Sequence, residues 1–238
     1  MRAQNNAYLN SYNCEGIRVE IDYSRAFKPT CALALATSYI AFLPSVLLAQ
    51  KEASGPFGLR MGMTAAEVRE LPGISQRDPD YRPLVFEVEQ VPKPHDAFEG
   101  YLLIVSEKVG LCKIVGLGET MGVKPEGKEL QTAFREMEEA IGKKYGRHLT
   151  RDDLDPNSRL RGRDQWMASL HGKDRRLTAF WDEEERSELK DGIMAIVLDA
   201  RTLSEKEGYL RLDYSFNNWT RCEEEGKQAR RKASVDAL

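Results

Sequence analysis

The sequence predicts an α+β fold in which helices pack on one face of an antiparallel sheet. Two observations lead to this prediction. Short apolar runs with strand character follow one another in two groups, and a predicted helix precedes each group. Helices separated by hairpin-connected strands are typical of α+β domains. The order of elements also fits two diverged copies of one helix-plus-sheet unit, although no residue-level repeat is visible.

The composition is that of a globular chain with little overall charge. Its 238 residues are 41% hydrophobic and 31% charged, with 35 basic against 38 acidic residues and a net charge of -3. These values exclude a membrane protein with many spans and a wholly disordered chain. They also provide no strong positive field, so we expect no nucleic-acid partner.

An uncharged apolar segment at residues 31–49 follows Arg25 and Lys28. Basic residues, an apolar run and then small residues are the order found in a signal peptide, which predicts export and cleavage near Gln50. The long, partly acidic stretch before the segment leaves two alternatives. Either the translation start is mis-assigned, or residues 31–49 are an uncleaved single-pass anchor and the chain's one membrane contact. We assign residues 1–49 to this signal peptide or anchor and predict a periplasmic or secreted protein.

The first predicted unit covers residues 50–126 and begins with a short helix. Thr64 and Glu67 have the spacing of a capping box, in which each side chain satisfies a free backbone N–H at the helix start. Pro72-Gly73 ends this helix within about two turns. Apolar or alternating runs then predict strands at residues 84–91, 101–106 and 111–117, the last two joined as a hairpin through Lys108-Val109-Gly110.

The second predicted unit covers residues 127–218 and begins with a long amphipathic helix at residues 128–145. Its apolar residues recur at steps of three and four, which places them in one stripe, and Gly146 is well placed to end the helix. The stripe consists of Leu130, Phe134, Met137, Ile141 and Tyr145. After a charged loop, strands are predicted at residues 165–170, 176–181, 192–200 and 208–216. Residues 219–238 are predicted to form a polar tail with a helix that frays.

The segment Gly62-Met63-Thr64-Ala65-Ala66-Glu67-Val68, continuing through Leu71-Pro72-Gly73, resembles the opening helix of small envelope domains. These domains are the lipoprotein of the outer-membrane β-barrel assembly machinery and the β-lactamase-inhibitor-protein-like fold. The resemblance implies a helix-plus-antiparallel-sheet module that binds another protein and turns over no substrate. The chain departs from the lipoprotein pattern because it is much longer and lacks a lipidated cysteine.

Cys112 and Cys222 are the two cysteines outside the predicted export segment. In an oxidising compartment such a pair can form one disulfide. The alternative is two buried thiols that pack as small hydrophobic residues. Neither cysteine lies in a CxxC or other metal-type spacing, so we expect no zinc site.

The residue types that carry catalysis or bind metals show no recognisable motif. The three histidines have no HExxH spacing, and no Gly-x-Ser-x-Gly or glycine-rich phosphate loop is present. Residues 153–164 space their oxygens like a calcium loop, but Ser158 stands where the turn needs glycine. We expect no metal and no cofactor. An enzyme stays the alternative if His148 or His171 joins a carboxylate in a concave pocket.

A basic region at residues 143–176 carries ten lysines or arginines against five aspartates. Such a patch can receive an acidic partner, and a solvated surface is the alternative account. The residues that we predict for partner binding are Arg159, Arg161, Arg163, Arg175 and Arg176. The sequence thus predicts an exported, non-enzymatic module that binds another protein, with an exported enzyme or a membrane-anchored structural protein as alternatives.

Overall fold

The computed structural model describes residues 55–78 and 81–236. The predicted signal peptide or anchor at residues 1–49 lies outside the described residues. Of the helices within them, none is long and apolar enough to cross a membrane. They contain a nine-stranded antiparallel sheet with helices beside it, which confirms the predicted α+β class.

Each half of the described chain contributes a helix followed by four strands of the sheet. The first half contains α1 (Ala65–Arg69), β1 (Ile74–Gln76), β2 (Leu84–Val88), β3 (Phe98–Ser106) and β4 (Gly110–Gly118). The second half contains α2 (Lys128–Tyr145), β6 (Leu149–Leu154), α3 (Trp166–His171), β7 (Arg175–Trp181), β8 (Ile193–Ser204) and β9 (Glu207–Phe216). The short strand β5 (Met121–Gly122) lies between the halves, and α4 (Trp219–Asp236) follows the second.

The strand order across the sheet is β1-β2-β3-β4-β9-β8-β7-β6, and β5 pairs with the beginning of β9. Each half forms an antiparallel meander whose last strand lies at the centre of the sheet. The two halves therefore join through β4 and β9, which pair antiparallel from Lys113 with Ser215 to Leu117 with Arg211. One continuous sheet thus contains two runs with the same order of elements.

The capping box predicted for α1 is present. The Glu67 backbone N–H donates to Thr64 Oγ1 at 3.2 Å, and the Thr64 backbone N–H donates to Glu67 Oε2 at 2.7 Å. Hydrogen bonds from the Thr64 backbone and hydroxyl hold the pKa of the Glu67 carboxyl below its ordinary value. The helix ends at Arg69, before Pro72-Gly73, as predicted, and it buries Val68 completely.

The long helix α2 has the bounds and the buried face that its sequence predicts. Its buried residues are Leu130, Phe134, Met137, Ile141 and Tyr145, and all five belong to the main hydrophobic core. Gly127 precedes the helix with a φ of 63°, and a β-carbon at this position would collide with the Trp166 ring. Glycine therefore allows the start of α2 to lie directly against α3.

One predicted strand is wrong, and three strands were not predicted. Residues 165–170 were expected to be a strand, but Trp166–His171 forms the helix α3, which buries Trp166, Met167 and Leu170 in the core. A short apolar run does not distinguish a strand from a buried helical turn. The charged loop that was expected after α2 contains the edge strand β6. The short strands β1 and β5 were not predicted either.

Strand alternation gives the sheet two different faces. The inner face packs on α1, α2 and α3 and carries the main core. The opposite, outer face has one row of residues in register from Val197 of β8 through Asp213 of β9 to Val115 of β4. The last helix, α4, lies against β3 and β4, where Trp219 meets the outer-face residue Lys113. The first three helices thus pack on one face as predicted, and α4 lies on the other.

Candidate interaction surface

The outer face of the second half is the candidate functional site. Leu149 of β6 pairs in register with Phe180 of β7, which in turn pairs with Val197 of β8. These three residues, called the apolar strip below, are each partly exposed. The strip ends at the centre of the sheet, where Val197 pairs with Asp213 of β9.

A polar row lies beside the apolar strip. The Thr178 hydroxyl donates to Asp199 at 2.7 Å, and Arg201 donates to the same carboxylate at 2.8 Å. Arg151 lies opposite Thr178 at the edge of the sheet. The Asp199 carboxylate is thus satisfied within the row, while arginines border a partly exposed apolar centre. Apolar side chains combined with arginine are characteristic of protein-binding surfaces.

The apolar strip meets a buried ion cluster at the end that lies at the centre of the sheet. Lys113 donates to Asp213 at 2.7 Å, and Arg211 donates to both oxygens of that carboxylate at 2.7 and 3.0 Å. The Lys113 ammonium also lies 5.0 Å from the centroid of the Trp219 ring. Burial opposes ionisation of Asp213, but the charges of Lys113 and Arg211 outweigh it and hold the pKa of this carboxyl well below its ordinary value. Asp213 is therefore ionised at neutral pH.

The five arginines predicted for partner binding do not form one patch. Arg159, Arg161 and Arg163 lie exposed in the segment between β6 and α3. There Arg161 donates to the backbone carbonyls of Pro156 and Ser158, so part of its guanidinium is already hydrogen-bonded to the local backbone. Arg175 and Arg176 are consecutive in β7, and strand alternation directs them to opposite faces.

Arg175 and Arg176 accordingly differ in what they contact. Arg175 is on the inner face, where it donates to Asp152 at 2.6 Å and to Ser169 at 3.2 Å and lies over the Trp166 ring. Arg176 is exposed on the outer face and pairs in register with Asp153 of β6. Of the five arginines, Arg176 is the one exposed on the same face of the sheet as the apolar strip, with the row of Thr178 between them.

Cys112 and Cys222 form a disulfide that joins β4 to α4. Both cysteines are fully buried, and their Cα atoms are 6.5 Å apart. The same helix is held by the Asn218 side chain, which donates to the carbonyls of Val109 and Leu111 at 2.9 and 3.0 Å. The α4 helix is therefore fixed to the first half of the sheet both covalently and by hydrogen bonds.

His148 contacts a carboxylate, which the enzyme alternative requires, but its surroundings are those of a packed residue. Its Nε2 lies 2.9 Å from Glu138 Oε1, and its ring stacks on the buried Trp181 with centroids 4.7 Å apart. Thr150 donates its hydroxyl to the same Glu138. The open depression beside the ring is lined by Glu139, Gly142, Lys143, Gly146, Arg147 and His148, none of which is a serine, threonine or cysteine nucleophile.

The oxygens at residues 153–164 are not arranged around an ion. Asp153 lies in β6, Asp155 accepts a hydrogen bond from the Asn157 backbone N–H at 2.7 Å, and Asp164 lies in a short 3-10 helix. Over the ranges that the structure describes, no group of three or more His, Cys, Asp or Glu residues could hold a metal ion. His171 is exposed, with its Nδ1 3.3 Å from the Thr202 hydroxyl.

Fold and surface together define the class of protein: an α+β protein on one nine-stranded antiparallel sheet, with a partly exposed apolar strip on its outer face. In comparisons with family models, curated proteins and solved structures, none matches the chain. The resemblance of the α1 segment to small envelope domains therefore stays an expectation.

Proposed function

We propose that the protein is an exported, non-enzymatic module that binds another protein through the outer face of its second half. The observation that carries this proposal is the apolar strip, whose three members lie side by side and partly exposed. Covering such grouped apolar residues with a partner removes their surface from water, which favours association. Arg151 lies in the row next to the strip, Arg201 donates to Asp199 of that row, and Arg176 lies one row further on the same face, so the partner that fits it has acidic groups beside an apolar centre.

Export is supported by the disulfide between Cys112 and Cys222. Disulfides form and persist in oxidising compartments and are rare in the cytosol. The uncharged segment at residues 31–49 has the composition of an export signal. These two features together favour a periplasmic or secreted location, and an uncleaved segment would hold the same domain at the membrane surface.

The location can be tested by mass spectrometry of the protein purified from its native host. We expect a mature N-terminus near Gln50 and no free thiol at Cys112 or Cys222. An intact segment 31–49 in the membrane fraction would support the anchored alternative. A full-length cytosolic protein with both thiols free would contradict export.

The binding role can be tested with a charge placed in the apolar strip. Phe180→Arg puts a cation where the partner's apolar centre should lie, and Gln228→Arg adds the same charge on the exposed side of α4 as a matched control. After cross-linking in the native envelope, we expect the control to capture the same partner as wild type and Phe180→Arg to capture about tenfold less. Equal capture by all three proteins, with unchanged melting temperatures, would contradict the proposal.

A further inference from the structure

The strand β6 is an edge of the sheet. Among the described residues it pairs with β7 alone, and the six residues of Leu149–Leu154 make it longer than β1, the three-residue strand at the opposite edge. Thr150, Asp152 and Asp153 are exposed. An exposed edge strand presents a row of backbone N–H and C=O groups to which another strand can pair.

The hydrogen-bond pattern determines which residues of β6 present those groups. The Asp155 backbone N–H donates to the Asp174 carbonyl at 2.7 Å, at the end of the β6–β7 pairing. Hydrogen-bonded positions alternate along an antiparallel pair of strands. Every second residue of β6 therefore bonds to β7 through its backbone N–H and C=O groups, and the residues between them direct these groups away from the sheet. The outward residues are Thr150, Asp152 and Leu154.

We propose that two copies of this protein pair antiparallel through β6, so that their two sheets become one. In a two-fold symmetric pair, outward residues of one copy must hydrogen-bond to outward residues of the other. The register centred on Asp152 meets this requirement. It places Arg151 opposite the partner's Asp153 and, by symmetry, Asp153 opposite the partner's Arg151. Two oppositely charged cross-strand pairs thus form on the outer face.

Charge selects this register over its neighbours. Sliding the partner by two residues in one direction centres the pair on Arg151 and sets two guanidinium groups opposite each other. Sliding it the other way centres the pair on Asp153 and sets two carboxylates opposite each other; like charges in such positions are destabilising. In the selected register the two Asp152 carboxylates meet on the inner face, where each is bound by Arg175 of its own chain at 2.6 Å.

The ends of β6 limit the pairing to the same short stretch. Outward residues form three pairs, in which Asp152 meets the partner's Asp152 and Thr150 and Leu154 meet each other twice. The next outward residue after Leu154 is Pro156, which has no N–H to donate, so the pairing ends there. The dimer does not depend on the proposed binding role of the apolar strip, although it would place two strips on one continuous face.

The test is analytical ultracentrifugation of the purified protein from about 1 to about 100 µM, with charge-swapped variants. Arg151→Asp sets two carboxylates opposite each other, and Asp153→Arg sets two guanidinium groups opposite each other. The double variant, with both changes, restores opposite charges in the same register. Arg159→Asp is the matched control, because Arg159 is exposed in the segment after β6.

We expect wild type, the Arg159→Asp control and the double variant to dimerise with similar dissociation constants. Each single variant should dissociate at a concentration about tenfold higher, since both symmetric charge pairs turn repulsive together. Melting curves recorded at low concentration report whether each variant folds. A monomeric wild type across the whole range would overturn the proposal. So would single variants that dimerise like wild type, or a double variant that folds but stays monomeric.

Discussion

The two halves of the sheet follow the same order of elements but differ in what lies over their outer face. In the first half β4 is buried at every position, and α4 is bound to it by the disulfide. In the second half β6 has no fully buried residue, and β8 alternates between buried and partly exposed positions along most of its length. One topology thus contains a stretch of sheet that is buried on both faces and a stretch whose outer face is partly exposed.

The largest effect should come from removing the link that fixes α4 to the first half. The disulfide joins positions 110 residues apart, so its loss lets the unfolded chain gain much conformational freedom. We expect the Cys112→Ala/Cys222→Ala variant to lose about 4 kcal/mol of unfolding free energy in urea titrations. A reducing agent should lower the wild-type midpoint and leave the double variant unchanged. An equal response of both proteins would contradict this account.

The ion cluster where the halves meet should give the next largest effect. Asp213→Asn leaves Lys113 and Arg211 facing each other without the carboxylate that they share, and we expect a loss of about 3 kcal/mol. The pKa of Asp213 is lower in the folded protein than its ordinary value, so the ionised group stabilises the fold above about pH 4. This contribution decreases as the pH falls below that value.

Urea titrations between about pH 2 and pH 7 measure both parts of that prediction. Wild type should lose stability on acidification more steeply than Asp213→Asn, because the variant has no carboxyl to protonate at this position. Parallel pH profiles for the two proteins would show that Asp213 is not the group responsible.

One pair of matched substitutions compares the halves directly. Val115 and Val197 lie in the same outer-face row, on either side of Asp213, but Val115 is 1% exposed and Val197 is partly exposed. We expect Val115→Ala to cost about 2 kcal/mol and Val197→Ala less than about 1 kcal/mol, since the cost follows the buried volume lost. Equal losses in thermal or urea unfolding would mean that the outer face is equally covered in both halves.

The smallest effect is expected at the cap of α1, the five-residue helix of the first half. Thr64→Ala removes the hydroxyl that accepts from the Glu67 backbone N–H and should cost about 1 kcal/mol. Thr132→Ala within the longer helix α2 is the control, because the same change at an exposed mid-helix position favours the helix slightly. A cost at Thr132 as large as that at Thr64 would contradict the capping role.

The sequence predicted best the elements whose local pattern agrees with their packing. The apolar stripe of α2 and the capping box of α1 both depend on spacing within a few residues, and both were predicted correctly. The helix α3 was predicted as a strand because its few apolar residues suit either structure, and its packing depends on the distant Gly127. The edge strand β6 was expected to be a loop because charged residues occupy most of its middle.

The candidate surface was harder to predict than the fold. The predicted partner-binding residues were grouped by their nearness in the sequence. This grouping put Arg175 and Arg176 together, although strand alternation places them on opposite faces of the sheet. The apolar strip arises from three strands whose register only the folded sheet reveals. One local signal was present, since Leu149, Arg151 and Asp153 alternate with residues of the other face, but recognising it requires β6 to be identified as a strand.

The central place of β9 makes completion of the sheet depend on the last of its strands. This strand pairs with both β4 and β8, and within the described residues it follows the eight other strands in the chain. A nascent chain that stops before Glu207 has no strand to join its two meanders, so β4 and β8 each remain unpaired on one side. The sheet is therefore complete only after the last of its nine strands has been made. That timing suits the proposed export, because a chain that is still unfinished can be threaded through a translocation pore in an extended state.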